Sequence, residues 1–364
     1  MTSEDKIRKA DDTLFAIFHD FNIFDYLTPL NARSEEEQFF RFWDSGQTYN
    51  PRFQYPLLPP KLPEWKRKVE ALELGDSPLE VMFNQLKSEW LRRFELVEKR
   101  GTPGLTTTSI KLFGQPDDFL VQEARQILKD TENEIDDTIN VGVKGLGEEM
   151  RERLRKERIE GWDVLEDPAS IPLARVDAAH HKIRIKTGMI VTTAMLKRLL
   201  HHEIEVHVYR AANGERQPYK AFRMGFDRNL ETEEGLAVVL EDRLGISVPN
   251  VKRRYAGRVL AANLVPTKSF FDIVNALVEF FAPDEAFTLA LRSKRGQEDT
   301  SQPGGFVQDH IYLQGRKQVA SLSNADIRLL YSGRIAVHHL DMVKELIAQK
   351  KLVDPAFVPD VFHG

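Results

Sequence analysis

The stretch "LLHHEIEVHVYR", Leu199 to Arg210, places three histidines and two glutamates within seven residues and sets them among leucines and valines. Any fold of this chain must accommodate that chemistry. A helix turns about 100° per residue. On that wheel Met195, Leu199, His202 and Val206 form one line, and Leu196, Leu200, Glu203 and His207 form the next. His202, Glu203 and His207 therefore continue an apolar face. Arg198, His201 and Glu205 make a separate polar line that reads as the solvent side, with His201 and Glu205 a plain i,i+4 pair. Two imidazoles and a carboxylate buried without partners are costly. A divalent metal is a common compensator, and histidine is its commonest nitrogen ligand.

The spacing is HExxxH rather than HExxH. On an ideal helix, histidines at i,i+4 lie about 40° apart, and at i,i+5 about 140° apart. Two ligands so divergent do not readily share an ion. A turn widened by one residue brings them back together, so the sequence predicts a π-type turn between His202 and His207.

A second acidic helix is expected in "NLETEEGLAVVLEDRLG", Asn229 to Gly245, with Asn229 as N-cap. Acids in its first turn suit the helix dipole. Glu234 nevertheless falls in line with Leu230, Ala237 and Val238, where it would face the core as a third metal ligand. Glu203 would then be the general base. Glu233, aligned with Leu236, Ala237 and Leu240, is a rival ligand, and periodicity does not decide between the two. Glu241 is either a partner of a ligand histidine or exposed.

The remaining pattern predicts a predominantly helical α+β protein. Residues 1–45 read as helical, with aromatics recurring in "LFAIFHDFNIFDYL" and "EEEQFFRFW" that suit a satellite core. The proline-rich Asn50–Pro63 excludes regular helix and reads as an extended surface segment. Residues 64–100 return to helix with Gly101 as a C-cap, "FLVQEARQILKDTENEIDDTI" is another helix, and Gly147–Gly161 reads as a solvated, charge-paired one. Two short β-like runs follow in "SIPLARVDAAHHKIRIKTG". In the second, Ile183 and Ile185 alternate with Lys182, Arg184 and Lys186. The histidine helix then runs from about Thr192, with Asn213 and Gly214 as a left-handed stop. "TKSFFDIVNALVEFF" reads as a core helix, with the lining of a side-chain pocket as the lesser alternative. The expected organisation is an N-terminal helical region, 1–164, and a core, 165–364, packed as one unit.

Composition narrows the chemistry. The 364 residues contain no cysteine, which excludes thiolate ligands and disulfides, so any metal must be held by His, Asp or Glu. A net charge of −5 gives no argument for nucleic acid or an anionic membrane as partner. The polar N-terminal stretch lacks a signal-peptide h-region and no run reaches the apolar length of a membrane span, so the expected localisation is cytoplasmic.

Several motifs occur in order: HExxxH at His202–His207, "NGERQP" at Asn213–Pro218, "EEGLA" at Glu233–Ala237, "RRYAGR" at Arg253–Arg258 and "GGFVQDHIYLQG" at Gly304–Gly315. Together they resemble the microtubule-associated tyrosine carboxypeptidase-like family, whose bacterial relatives are labelled flavohemoglobin expression-modulating QEGLA-motif proteins. The resemblance runs from about Asp163 to the C-terminus and weakly upstream. It implies a Zn²⁺-dependent metallopeptidase with a gluzincin-like core. Carried over, His202, His207 and Glu234 are zinc ligands and Glu203 is the catalytic glutamate. Where the bacterial label has glutamine, this chain has Glu233.

A carboxypeptidase needs a grip on a free carboxylate and a donor for the oxyanion. Arg254, Arg258, Arg292 and Arg295 are candidates for the first role, and Tyr255 and Tyr312 for the second. The Lys182–Lys186 strand is a candidate for pairing with the substrate backbone. The expected substrate is a peptide or protein C-terminus ending in an aromatic or bulky residue. The alternatives are a zinc peptidase of other specificity, such as an aminopeptidase or dipeptidase, and a regulatory protein with a non-catalytic metal site.

Overall fold

The histidine stretch lies in one unbroken helical run from Thr193 to Glu215. The computed structural model describes residues 2–131, 140–168 and 172–363 of the chain. Thr192 opens this run by accepting a hydrogen bond from the Met195 amide (3.1 Å). The middle, Leu200–Val208, is π-helical, and α-helix resumes over Tyr209–Glu215. The wide turn expected from the HExxxH spacing is therefore present. It brings the His202 and His207 rings to 5.1 Å between centroids.

Asn213 and Gly214 do not end the helix, contrary to the sequence expectation. Both lie inside it, and Gly214 is needed for close approach: a Cβ there would lie 2.3 Å from the Phe222 carbonyl oxygen. Asn213 instead binds the C-terminal segment, with its side chain bonded to the Ala356 and Phe357 amides and the Phe357 carbonyl.

The acidic helix spans Asn229–Arg243. Its N-cap position is Arg228, in the left-handed region at φ 52°, rather than Asn229, whose amide turns inward to the Phe226 carbonyl (2.6 Å). This helix crosses the Ile311–Ala320 helix glycine on glycine. A Cβ on Gly235 would lie 2.2 Å from the Gly315 carbonyl carbon, and one on Gly315 would lie 1.9 Å from the Glu231 oxygen. The two backbones therefore touch, which fixes Glu234, next to Gly235, against the histidine helix.

Strand content is small. A three-stranded sheet has Lys182–Lys186 at its centre, parallel to Asp163–Asp167 and antiparallel to Ala174–Asp177. Ile183 and Ile185 are buried as the alternation required. A central strand has no free edge, so Lys182–Lys186 cannot add a substrate strand. A two-stranded ladder joins Asn140–Gly142 to Ile190–Thr192, directly ahead of the histidine helix. Most of the other described residues are helical, giving the expected α+β class.

One connected hydrophobic cluster runs from Ile7 to Phe362. The N-terminal aromatics join it rather than forming a satellite: Phe39 stacks near Phe270 and Phe287, at 5.5 and 5.1 Å. Phe270 belongs to the Phe270–Leu277 helix, which is core-packed as expected. The proline-rich segment is extended but not merely superficial, because Phe53 is buried and its amide binds the Glu298 carbonyl (3.0 Å). The helical patterning over 64–100 is borne by two helices, Leu62–Glu70 and Pro78–Glu98. The helix expected from Phe119 spans Asp118–Asp130, and residues 132–139 of that expectation lie outside the described residues. The charge-run helix spans Val143–Lys156, with Met150 and Leu154 buried. It docks on the histidine helix through Arg153, which bonds Glu205. Glu205 and Arg198 are buried, so the polar line is an interior seam rather than a solvent face. The expected His201–Glu205 pair does form (2.8 Å).

Candidate active site

The π-turn turns His202 and His207 toward the acidic helix. Ligand atoms of His202, His207 and Glu234 all lie within 4.8 Å of one another. His202 Nε2 is 3.5 Å from Glu234 Oε2, and that oxygen is buried with no hydrogen-bond partner. A buried carboxylate oxygen without a donor is costly. Two imidazole nitrogens beside it make an N₂O set that suits a divalent cation.

Each histidine also has a carboxylate on its other nitrogen. His202 Nδ1 faces Glu241 Oε1 at 2.8 Å, and Arg198 Nε pairs with the same oxygen at 3.0 Å. Glu241 is buried, which settles its alternatives in favour of the histidine partner. His207 Nδ1 lies 3.4 Å from Glu233 Oε1. Glu233 is fully buried and is gripped by Arg334, at 2.8 Å from Nη2 to Oε2 and 3.1 Å from Nε to Oε1. Glu233 and Glu234 thus divide the work: one stands behind a histidine and the other lies in front of both.

The electrostatics follow. Burial opposes charge on His202, but Glu234 and Glu241 overcome it and raise its pKa to about 9. Burial opposes charge on His207 too, and Glu233 raises it. Burial alone would raise Glu233, but Arg334, His207 and Arg210 hold it well below the ordinary carboxylate range. The carboxylates therefore draw positive charge to the two imidazoles, a charge that protons or a dication could supply. Glu203 is buried beside these residues. Among the described residues its carboxylate has no hydrogen-bond or ion-pair partner, leaving it available for proton transfer.

A second cluster, Asp227, His338 and His339, also brings three donor atoms together. Its hydrogen bonds are already complete. His339 Nδ1 accepts from the Ala336 amide (3.0 Å), so its proton sits on Nε2 and is donated to Asp227 Oδ1 (3.0 Å). His338 Nε2 pairs with the other Asp227 oxygen at 3.2 Å. Binding a cation here would break that set. A cavity of about 480 Å³ lined by Gln85, Glu89, Arg92, Lys111 and Arg228 lies beside this cluster, where Asp227 forms part of its wall.

The candidate substrate residues separate. Arg292 forms a two-point pair with Asp309, one arm at 2.9 Å. Arg258 and Arg295 gather around the same carboxylate, and the Nε of each is buried without an acceptor. Burial and the neighbouring Arg292 lower Arg295 to about 10. Arg258 also lies over the Tyr312 ring, 4.4 Å from its centroid, and Tyr312 stacks on Tyr255 at 4.8 Å. Arg292 and Tyr312 are within electrostatic reach of Glu234. Arg254 stands apart, paired with Glu285 at 3.6 Å. Tyr255 accepts a hydrogen bond from Arg198 (2.5 Å) and so stands behind His202. Three arginines against one aspartate leave an excess of buried positive charge with unspent donors.

The family model for microtubule-associated tyrosine carboxypeptidase matches residues 38–364. The chain belongs to this family. The mouse putative tyrosine carboxypeptidase MATCAP2 is 25% identical over 349 residues, covering 92% of this chain and 59% of that protein. Mouse microtubule-associated tyrosine carboxypeptidase 1 is 27% identical over 350 residues, covering 92% of this chain and 65% of that protein. Human putative tyrosine carboxypeptidase MATCAP2 is 31% identical over 182 residues, 46% of this chain and 33% of that protein. The chain thus spans about three-fifths of the two mouse relatives.

In this member of the tyrosine carboxypeptidase family the motifs are part site and part scaffold. "RRYAGR" supplies Tyr255 and Arg258, while Arg253 ties the carbonyls of Leu128, Thr131 and Phe280. "GGFVQDHIYLQG" supplies Asp309, Tyr312 and the crossing glycine Gly315. In "NGERQP", Asn213 and Gln217 are latches, Gln217 binding the Ser332 and Val353 carbonyls at 2.9 Å each. Sequence reasoning missed Arg198, Arg334 and Asp309. A lone arginine or aspartate carries no periodic signal of its partner. Among the described residues no helix is long and apolar enough to cross a membrane.

Proposed function

We propose that this chain is a zinc-dependent carboxypeptidase that removes the last residue of a peptide or protein, with a gluzincin-like core over 165–364 and an N-terminal region over 1–164 packed against it. The observation that carries the reading is the convergence of His202, His207 and the unpartnered Glu234 oxygen across a π-turn that also holds Glu203. His202, His207 and Glu234 would hold the ion, and three protein donors leave a position for water, as catalytic zinc requires. When bound, zinc polarises a scissile carbonyl and acidifies water.

The chain's own residues supply the rest. Glu203 accepts the proton of the attacking water and passes it to the leaving amine. Arg258 and Arg295, whose Nε groups have no acceptor, receive the terminal carboxylate, since a guanidinium fork matches that group at two points, and Arg292, held by Asp309, adds positive charge beside them. Tyr312 donates to the oxyanion, because among the described residues its hydroxyl has no other partner. Tyr255 is already engaged by Arg198 and orients rather than reacts. The names of the relatives point to tyrosine as the residue released.

The test is release of the last residue from peptides ending in tyrosine, as free acid and as amide. Wild type should process the free acid and spare the amide, and Glu203→Gln should process neither. Equal cleavage of acid and amide would overturn the carboxypeptidase assignment.

A further inference from the structure

Two arginine–carboxylate–histidine chains converge on Glu234 from opposite ends of the π-turn. One is Arg198–Glu241–His202, set within the helices that carry it. The other begins far away in sequence. Arg334 sits in the "YSGRIAVHH" segment, 101 positions from Glu233. Gly333, at φ 157°, lets that segment run against Phe222, where a Cβ would meet the Phe222 carbonyl oxygen at 2.8 Å. The Arg334 amide donates to the same oxygen (2.7 Å), and Arg334 Nη1 donates to the Met224 carbonyl (3.1 Å). The guanidinium therefore has a fixed origin and one direction left, toward Glu233. Arg210, itself fully buried, adds a second positive group 3.8 Å from Glu233 Oε1, and its Nη1 has no hydrogen-bond partner.

We propose that Glu233 and Arg334 are positioning residues for His207, and that the carboxylate at position 233 tightens the grip of the site on its divalent cation. The inference rests on the metallopeptidase reading and adds a function for two residues that touch neither ion nor substrate. A carboxylate on Nδ1 keeps the proton there and turns Nε2 toward Glu234. It also makes the imidazole a stronger donor than an amide on the same nitrogen would. The buried Arg210 and the half-buried Arg334 around position 233 explain why a carboxylate is tolerated there without solvent.

The experiment is chelator competition for zinc on the purified full chain, comparing wild type, Glu233→Gln, Arg334→Lys and the paired Glu233→Gln/Arg334→Met, with the cobalt(II) visible spectrum as a second readout. The paired variant removes both members of the Glu233–Arg334 ion pair together and so leaves less unpaired charge than Glu233→Gln alone, and circular dichroism before loading checks that each variant is folded. Zinc affinity should fall about 10- to 100-fold in Glu233→Gln and in the paired variant. Arg334→Lys, which keeps the charge but loses the fork, should fall between these and wild type. The cobalt bands should shift in the same order. Folded variants that bind zinc within about twofold of wild type, with unchanged cobalt bands, would overturn the positioning role alone. A wild type that takes up no zinc would instead overturn the metallopeptidase reading beneath it.

Discussion

At the scale of single residues, each acid around the site is assigned by what its oxygens touch. Glu203 has no partner among the described residues, Glu234 has one orphaned oxygen, and Glu233 and Glu241 are each held by an arginine and a histidine. Replacing Glu203 by Gln should lower turnover by about 10²- to 10⁴-fold while leaving metal content intact, measured on the same sample; lost metal would move Glu203 out of the proton-transfer role. Asp227 supplies a control outside the site. Burial would raise its carboxyl, but His338 and His339 hold it well below the usual range. A depressed folded pKa means stability that is complete above the unfolded value, ~3.9, and is lost as pH falls through the folded one. Asp227→Asn should therefore cost about 1–3 kcal/mol at neutral pH. Its gap to wild type in thermal melts should narrow as pH drops below about 4; a constant gap would show that the charge is not what stabilises. His202, Glu203 and His207 were legible in the sequence because three polar residues continued an apolar line. The choice between Glu233 and Glu234 was not, because both fall on buried lines and only the position of Arg334 separates them.

At the scale of elements, the spacing of the histidines dictated a wide turn, and the chain forms one over Leu200–Val208. Rotation per residue is a local property, so it can be read from sequence. Neighbours are not, and the same helix shows the difference: its polar line looked solvent-facing, yet Arg153 and Tyr255 cover it from two other helices. The strand over Lys182–Lys186 has the alternation of a half-buried strand, but alternation cannot say whether both edges are paired. The glycine crossing gives an element-scale test. Gly235→Ala should destabilise by about 1–3 kcal/mol, because a methyl there meets backbone that cannot yield. Gly142→Ala, at φ −71° with nothing within 4 Å, should be near neutral. Equal melting temperatures for the two variants would contradict the crossing as the constraint on Glu234.

At the scale of the whole molecule, a single hydrophobic cluster joins the first helix to the last turn, and the site lies where distant segments meet. The histidines, Glu234, Arg258, the pair Arg292 and Arg295, and Arg334 come from five stretches of chain. That assembly was legible only through motifs recurring in order, since periodicity within one stretch carries no information about another. The arginine cluster sets the expected direction of substrate binding. Arg258→Met should raise KM for a peptide with a free C-terminus by about tenfold or more, with a smaller effect on kcat. An unchanged KM would remove Arg258 from the carboxylate site. The central claim, that the π-turn and the acidic helix build one metal centre, is tested most directly by elemental analysis of purified wild type beside His207→Ala and Glu234→Ala. About one zinc per chain in wild type, lost in both variants with the fold retained, is the expected result. Zinc that persists in both variants, or wild type that stays free of metal after zinc is supplied, would contradict it.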